Sequence, residues 1–115
     1  MKTKKIVNLC PHPITVRTEQ EEFVLASEGM ARVDTTPSSD LTKIGGIPVK
    51  PADKVNGLTG MPAPKAGTVY VVSAKTADAC PTRYDLLVPG TSPTDDPFRD
   101  EDGRVVAVRY LKFAR

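Results

Sequence analysis

The chain has 115 residues, a formal net charge of +2 and 39% hydrophobic residues. That length predicts a single domain over residues 1–115 with a modest core. The small and scattered charge does not predict binding to nucleic acid or to an anionic membrane, and no apolar run has membrane-spanning length. Eleven prolines interrupt the chain too often for a long helix, so we predict a β-rich fold.

Short strands are predicted in the first third of the chain, at residues 5–9, 14–17, 23–26 and 31–35. Prolines at positions 11 and 13 separate the first two strands, since a residue that precedes proline avoids the helical region. The Glu-rich stretch 19–22 is predicted to be a hairpin turn. These strands together indicate an N-terminal β-meander.

The next segment gives weaker signals. Gly45-Gly46, flanked by apolar residues, predicts a tight hairpin within residues 41–50. Residues 51–66 contain several glycines and prolines and no sustained period, which predicts a loop. Loops of this length are often functional, but we interpret this one as a surface excursion or an oligomer contact.

The clearest local signals lie between Gly67 and Gly90. Residues 69–72 are β-branched or aromatic throughout, which predicts a strand that is buried on both faces. Ser73 is placed to cap a short helix over residues 74–79. A second apolar run at residues 86–88 completes a βαβ unit, because the connection is just long enough for a parallel crossover.

The C-terminal part is predicted to begin with a polar loop at residues 91–97. Asp102-Gly103 then forms the tip of a hairpin between residues 98–99 and 104–110, because glycine readily adopts positive φ. Residues 105–108 are all apolar, which predicts a strand interior to a sheet. The predicted fold is therefore α+β, a β-rich small domain with an N-terminal β-meander, one short βαβ unit and a C-terminal hairpin.

Several patterns match catalytic or metal-binding motifs only in part. Cys10 and His12 are near neighbours, but the paired spacings of a zinc site are absent, and nucleophile pairs are seldom adjacent in sequence. The acidic stretch 95–102 fails the EF-hand spacing, and residues 57–65 lack the P-loop spacing. We favour a protein without metal, cofactor or catalysis over an enzyme.

One candidate ligand site follows from the predicted βαβ unit. Ligands of parallel sheets favour the crevice beyond the carboxyl ends of the strands, where Ser73 and Gly90 lie. The start of the predicted helix would offer free N–H groups to an anion, and Arg83 and Arg99 are candidates to line the site by sequence proximity. His12, otherwise interpreted as a turn residue bonded to backbone, completes the candidate set.

The two cysteines, Cys10 and Cys80, are predicted to be free thiols of a cytoplasmic protein. The basic start of the chain leads into too short an apolar run for a secretory signal, and disulfides rarely persist in reducing compartments. The acidic residues of the 100–103 tip are interpreted as solvated loop charges that other polar residues would replace at little cost.

Three segments in combination resemble a group of small phage and prophage proteins of unassigned activity. They are Asn-Leu-Cys-Pro-His-Pro-Ile at residues 8–14, Gly-Thr-Val-Tyr-Val-Val-Ser at 67–73, and Val-Pro-Gly at 88–90 followed by Arg-Asp-Glu-Asp-Gly-Arg-Val at 99–105. The resemblance implies a viral or prophage setting, hence the host-cell cytoplasm. Members of that group carry Thr at the position of Cys10, which argues against a cysteine nucleophile, and residues 91–98 correspond to an insertion.

Two classes of function remain. The first, which the sequence favours, is a non-enzymatic binding module that inhibits a host protein or sequesters a small anionic ligand such as a nucleotide. The second is an oligomeric virion or assembly component, with copies of the same chain as partners. A deep pocket that contains Arg83 or Arg99 would favour the first class, and a flat apolar face that is self-complementary about a two-fold axis would favour the second.

Overall fold

The computed structural model describes residues 5–115, which form many short strands and one short helix. The strands are β1 (Lys5–Asn8), β2 (Ile14–Arg17), β3 (Glu22–Leu25), β4 (Arg32–Thr36), β5 (Thr42–Ile44), β6 (Ile47–Val49), β7 (Lys54–Thr59), β8 (Thr68–Val71), β9 (Leu86–Pro89), β10 (Phe98–Arg99), β11 (Val105–Ala107) and β12 (Leu111–Phe113). The helix α1 spans Ala74–Asp78, and a 3-10 turn spans Pro93–Asp95. This strand-rich architecture agrees with the prediction from proline spacing and β-branched runs.

A four-stranded sheet, the central sheet, has the strand order β1-β8-β9-β12. β8 pairs in parallel with both β1 and β9, and β12 pairs antiparallel with β9. The predicted burial on both faces is confirmed at residues 69–72, whose exposed fractions lie between 0% and 7%. An unalternating apolar run therefore marks the middle of the molecule, as it does in parallel sheets covered on both sides.

The two faces of the central sheet carry separate apolar clusters. Tyr70 and Val72 pack on the face that α1 covers, together with Leu9, Ala31, Ala77, Cys80 and Leu86. Val69 and Val71 pack on the other face, beneath the β2–β3 hairpin, together with Cys10, Ile14, Leu87 and Val108. The two buried thiols thus lie in different clusters, which keeps them apart and free.

The predicted N-terminal β-meander is wrong in its pairing. The β2–β3 hairpin is present, but β1 pairs with β8 and β4 pairs with β7, and Val16 of β2 also forms a parallel bridge with Val108. Alternation of apolar and polar residues identifies a strand and its buried face. The strand with which it pairs depends on which apolar surfaces meet in the folded chain. The prolines at positions 11 and 13 help this separation, because neither can donate to a ladder hydrogen bond.

Two further predictions are corrected by the structure. The predicted loop at residues 51–66 contains β7, which pairs antiparallel with β4. The strand predicted to be interior at residues 105–108 is instead β11, which pairs with β10 and leaves Val105 and Val106 exposed, followed by the buried Val108, which bridges Val16. The interior strands of the central sheet are β8 and β9, and β9 lies beside the unpredicted β12.

Candidate functional site

A cavity of about 420 Å³ lies beyond the carboxyl ends of β8 and β9, where ligands of parallel sheets favour binding. Its walls are mostly apolar and include Val88, Pro89 and residues 105–108. Ser73 and His12, two of the predicted site residues, lie in its lining. The cavity is therefore the natural place to examine the predicted ligand site.

The hydroxyl of Ser73 is already engaged in capping α1. It accepts a hydrogen bond from the backbone N–H of Thr76 at 3.2 Å and donates to Thr76 Oγ1 at 3.0 Å. The helix has only five residues, so its dipole is small. Ser73 thus shapes the cavity wall as a structural cap, and α1 is too short to bind an anion in the way the sequence analysis anticipated.

His12 and Cys10 both line the cavity without forming an activated pair. His12 Nδ1 lies 3.0 Å from the carbonyl oxygen of Pro13, the backbone contact expected of a turn residue. Burial raises the pKa of the Cys10 thiol, and its Sγ lies 3.9 Å from the carbonyl oxygen of Val71. A nucleophilic cysteine needs a lowered pKa, so the environment of Cys10 disfavours that role.

Arg83 lies away from the cavity, which corrects the expectation that it lines the site. It precedes β9 and therefore sits at the amino end of that strand. Its guanidinium donates two hydrogen bonds of 2.8 Å to the carboxylate of Asp85 and one of 3.0 Å to the carbonyl of Pro62. The hydrogen-bonded guanidinium lowers the pKa of Asp85. Through its bond to Pro62, Arg83 also holds the loop that leads into β8.

Arg99 and Gly90 also have structural roles. Arg99 Nη1 donates to the carbonyl of Gly103 at 2.8 Å, so this side chain braces its own hairpin and does not line the cavity. A β-carbon on Gly90 would lie 2.9 Å from Cε1 of Tyr110, closer than packed atoms allow. Gly90 was predicted from the rule for parallel strands and Arg99 from sequence proximity, and neither residue lines the cavity.

Two arginines outside the predicted site residues both contact the ring of Phe98. The guanidinium carbons of Arg17 and Arg109 lie 4.9 and 4.3 Å from the centre of that ring. Each arginine also contacts a carboxylate, Glu22 at 2.8 Å and Asp96 at 3.2 Å. Because both charges are already compensated, this cluster joins β2 to the C-terminal hairpin without offering a free anion site.

Asp95 is the buried polar centre of the segment before β10. Its carboxylate accepts hydrogen bonds from the hydroxyls of Ser92 at 2.7 Å and Tyr110 at 2.8 Å, and from Lys112 Nζ at 2.9 Å. These bonds, that of Ser92 first, hold the pKa of Asp95 far below its usual range. The Ser-x-x-Asp spacing is a capping signal that can be read from sequence, whereas the distant partners Tyr110 and Lys112 cannot be.

Residues 32–59 form a separate feature that we call the β-arm. β4 and β7 pair as its stem, with a side-chain hydrogen bond from Thr59 to Asp34, and β5 and β6 form the hairpin at its tip. The radius of gyration is 17.0 Å, against about 13 Å for a compact chain of this length. Large apolar side chains of the β-arm are 40–66% exposed: Leu41, Ile44, Ile47, Val55 and Leu58.

A second apolar surface, the apolar groove, lies on the face of the central sheet opposite α1. It encloses about 550 Å³ and is lined by Ile6, Val16, Phe23, Leu25, Val69, Leu87, Leu111 and Phe113. Every lining residue is apolar, and Phe23 and Phe113 are 47% and 61% exposed. The groove therefore offers hydrophobic contact with no polar group to select a small polar ligand.

Within residues 5–115, no group of three or more His, Cys, Asp or Glu side chains is arranged to hold a metal ion. No helix of that same span is both long and apolar enough to cross a bilayer. Comparison of the chain with models of protein families, with characterised proteins and with solved structures finds no match. The geometry of the β-arm, the apolar groove and the cavity is thus the basis on which function is argued.

Proposed function

We propose that this chain is a non-enzymatic assembly component that associates with further copies through its β-arm. The observation that carries the proposal is the exposure of Leu41, Ile44, Ile47, Val55 and Leu58 on one projecting element. Contiguous exposed apolar surface on a protein of this size usually marks an interaction site. Burial in an interface would recover about 25 cal/mol for each Å² of apolar surface removed from water.

The construction of the β-arm supports the same role. Its stem and tip are hydrogen-bonded ribbons that contribute little to the two core clusters, so the arm is not required to complete the hydrophobic core. An element that is ordered by backbone pairing yet exposes isoleucine at its tip is suited to present those side chains to a partner.

The absence of an activated nucleophile among the cavity residues supports a non-enzymatic role. Cys10 has a raised pKa, and His12 Nδ1 already faces a backbone carbonyl. The phage or prophage setting and a host-cell cytoplasmic location belong to this proposal as well, and they rest on the sequence resemblance alone.

Sedimentation velocity over a wide range of protein concentration tests the proposal. We expect the wild type to form species heavier than the 12.4 kDa monomer, and the double variant Ile44→Asp, Ile47→Asp to remain monomeric. Val24→Asp is the matched control, because Val24 is 63% exposed and lies outside both the β-arm and the apolar groove. A wild type that stays monomeric at every concentration would contradict the proposed function.

A small-ligand binding module is the second candidate, and the 420 Å³ cavity is the observation that favours it. With Arg83 and Arg99 engaged elsewhere, an anionic nucleotide has little support, and the walls fit an apolar molecule with one polar end near His12. Thermal shift against nucleotides and against small apolar alcohols would separate these ligands. Ala74→Trp, which fills the cavity rim, should abolish any genuine shift.

A further inference from the structure

We propose that the tip of the β-arm of one copy docks in the apolar groove of a second copy. This inference rests on the proposed function, and it names the surface that the arm contacts. Arm and groove are different surfaces, so each copy offers one of each. Such a contact is heterologous, and repetition generates a ring or a filament unless two copies exchange arms reciprocally.

The shape of the tip fits the groove. Ile44 lies directly opposite Ile47 in the β5–β6 hairpin, and Thr42 lies opposite Val49 one pair further along the same face. Both isoleucines are 66% exposed, which leaves a narrow apolar ridge at the end of the arm. The groove is an apolar trough in which Phe23 and Phe113 present partly exposed rings.

At the end of the groove next to Phe23 the charge is opposite in sign to that of the tip, whereas Lys5 and Lys112 adjoin lining residues elsewhere. The tip, residues 41–50, carries Lys43 and Lys50 and no acidic residue. The turn that precedes Phe23 at the groove carries Glu19, Glu21 and Glu22, of which Glu22 pairs with Arg17. Glu19 and Glu21 form no ion pair within residues 5–115 and are exposed. Complementary rim charges of this kind orient an apolar contact and exclude wrong partners.

The occupant of the groove is a second copy because the arm of the same chain leaves from the other side. Ala31, which immediately precedes the arm, belongs to the cluster on the α1 face, and its N–H donates to the carbonyl of Leu9 at 2.9 Å. The groove lies on the opposite face, above Val69 and Leu87. The stem continues from that side as an antiparallel ribbon of β4 and β7, and no residue of the β-arm lines the groove of its own chain.

The test combines an arm-defective and a groove-defective variant. The arm variant is Ile44→Asp, Ile47→Asp, and the groove variant is Phe113→Asp, a substitution at a 61% exposed position. Each alone should sediment as a monomer. Their equimolar mixture should associate again, as a complex with one intact contact between the groove of the arm variant and the arm of the groove variant.

Charge reversal supplies a second variant set that leaves the core untouched. Glu21→Lys and Lys43→Glu should each weaken association by roughly two- to fivefold, as exposed ion pairs do, and their combination should restore most of the affinity. A groove variant or a Glu21→Lys variant that associates like the wild type, or a mixture that stays monomeric, would overturn the arm-in-groove contact while leaving arm-mediated assembly in place. An arm variant that associates like the wild type would overturn both proposals.

Discussion

The central sheet and the β-arm are both built from short strands, yet different forces hold them. Strands β8 and β9 are covered on both faces, and their side chains form the two apolar clusters. All six residues of β7 are exposed, so the arm depends on backbone hydrogen bonds and on a few polar side-chain contacts. In this chain, burial of apolar side chains stabilises the body, while backbone pairing and polar side-chain contacts stabilise the β-arm.

The largest contrast between body and arm is expected from truncating one buried and one exposed side chain. Leu86→Ala removes a side chain that is 1% exposed and should lower the free energy of unfolding by about 2–5 kcal/mol. Ile44→Ala at the arm tip should change it by less than about 0.5 kcal/mol. Urea unfolding at equal, low protein concentration measures both, since association would otherwise shift the midpoints. If Leu86→Ala and Ile44→Ala lowered the free energy of unfolding equally, the distinction between body and arm would be wrong.

The junction of arm and body is tested at Gly60. Its φ is +80°, and an added β-carbon would lie only 2.1 Å from the carbonyl oxygen of Met30. Gly60→Ala should therefore lower the free energy of unfolding by about 2–4 kcal/mol, because alanine disfavours the left-handed conformation and its β-carbon displaces the neighbouring backbone. Gly46→Ala is the matched control, because Gly46 has φ +82° with open space around it.

In that control only the penalty of a positive φ for alanine applies, so Gly46→Ala should lower the free energy of unfolding by about 1 kcal/mol. The difference between the free energies of unfolding of the two variants measures how tightly the base of the arm packs against the segment before β4. If Gly60→Ala were no worse than Gly46→Ala, the arm would be free to shift at its base.

The hairpin tip on the body gives a smaller effect. Gly103 has φ +83° and no neighbour that a β-carbon would meet, so Gly103→Val should cost about 1–2 kcal/mol through backbone strain. Glu101→Ala, an exposed change in the same turn, should be nearly neutral. Chemical denaturation of both variants decides whether the turn or its charge matters.

The acidic residues of that tip are not interchangeable, which corrects the sequence-based interpretation. Asp100 Oδ1 accepts hydrogen bonds from the backbone N–H groups of Asp102 at 2.9 Å and Arg104 at 3.0 Å. Asp100→Ala should therefore destabilise more than Glu101→Ala, since it leaves turn donors without their acceptor.

The last prediction concerns the slope of stability against pH. The folded pKa of Asp95 lies below its unfolded value, so its contribution is complete above about pH 5 and is lost as pH falls through the folded pKa. Asp95→Asn should flatten the acid limb of a plot of unfolding free energy against pH. Thermal melts between pH 2 and pH 7, compared with wild type, measure this; parallel curves would show that the carboxylate is not ionised and bonded as described.

Part of the candidate site followed from sequence. The apolar run at residues 69–72 located the middle of the sheet, and the rule for parallel strands then indicated the edge where the cavity lies with Ser73. The prediction that Arg83 and Arg99 line the site was wrong because nearness in sequence does not specify at which edge of the sheet a residue lies. The hairpin at the tip of the β-arm was predicted, but its β4–β7 stem was missed because β7 contains Asn56 and Gly57 and has no buried face to produce alternation.

The strand-rich composition, the short helix with its Ser73 cap, and the glycine turns at Gly45-Gly46 and Gly103 could be predicted from local sequence, because each depends on local sterics and on hydrogen bonds between near neighbours. The pairing of β1 with β8, the pairing of β4 with β7, and the contacts of Asp95 with Tyr110 and Lys112 are seen only in the folded chain. These pairings and contacts depend on how well segments far apart in the chain bury and bond to each other, and a local sequence pattern does not contain that information.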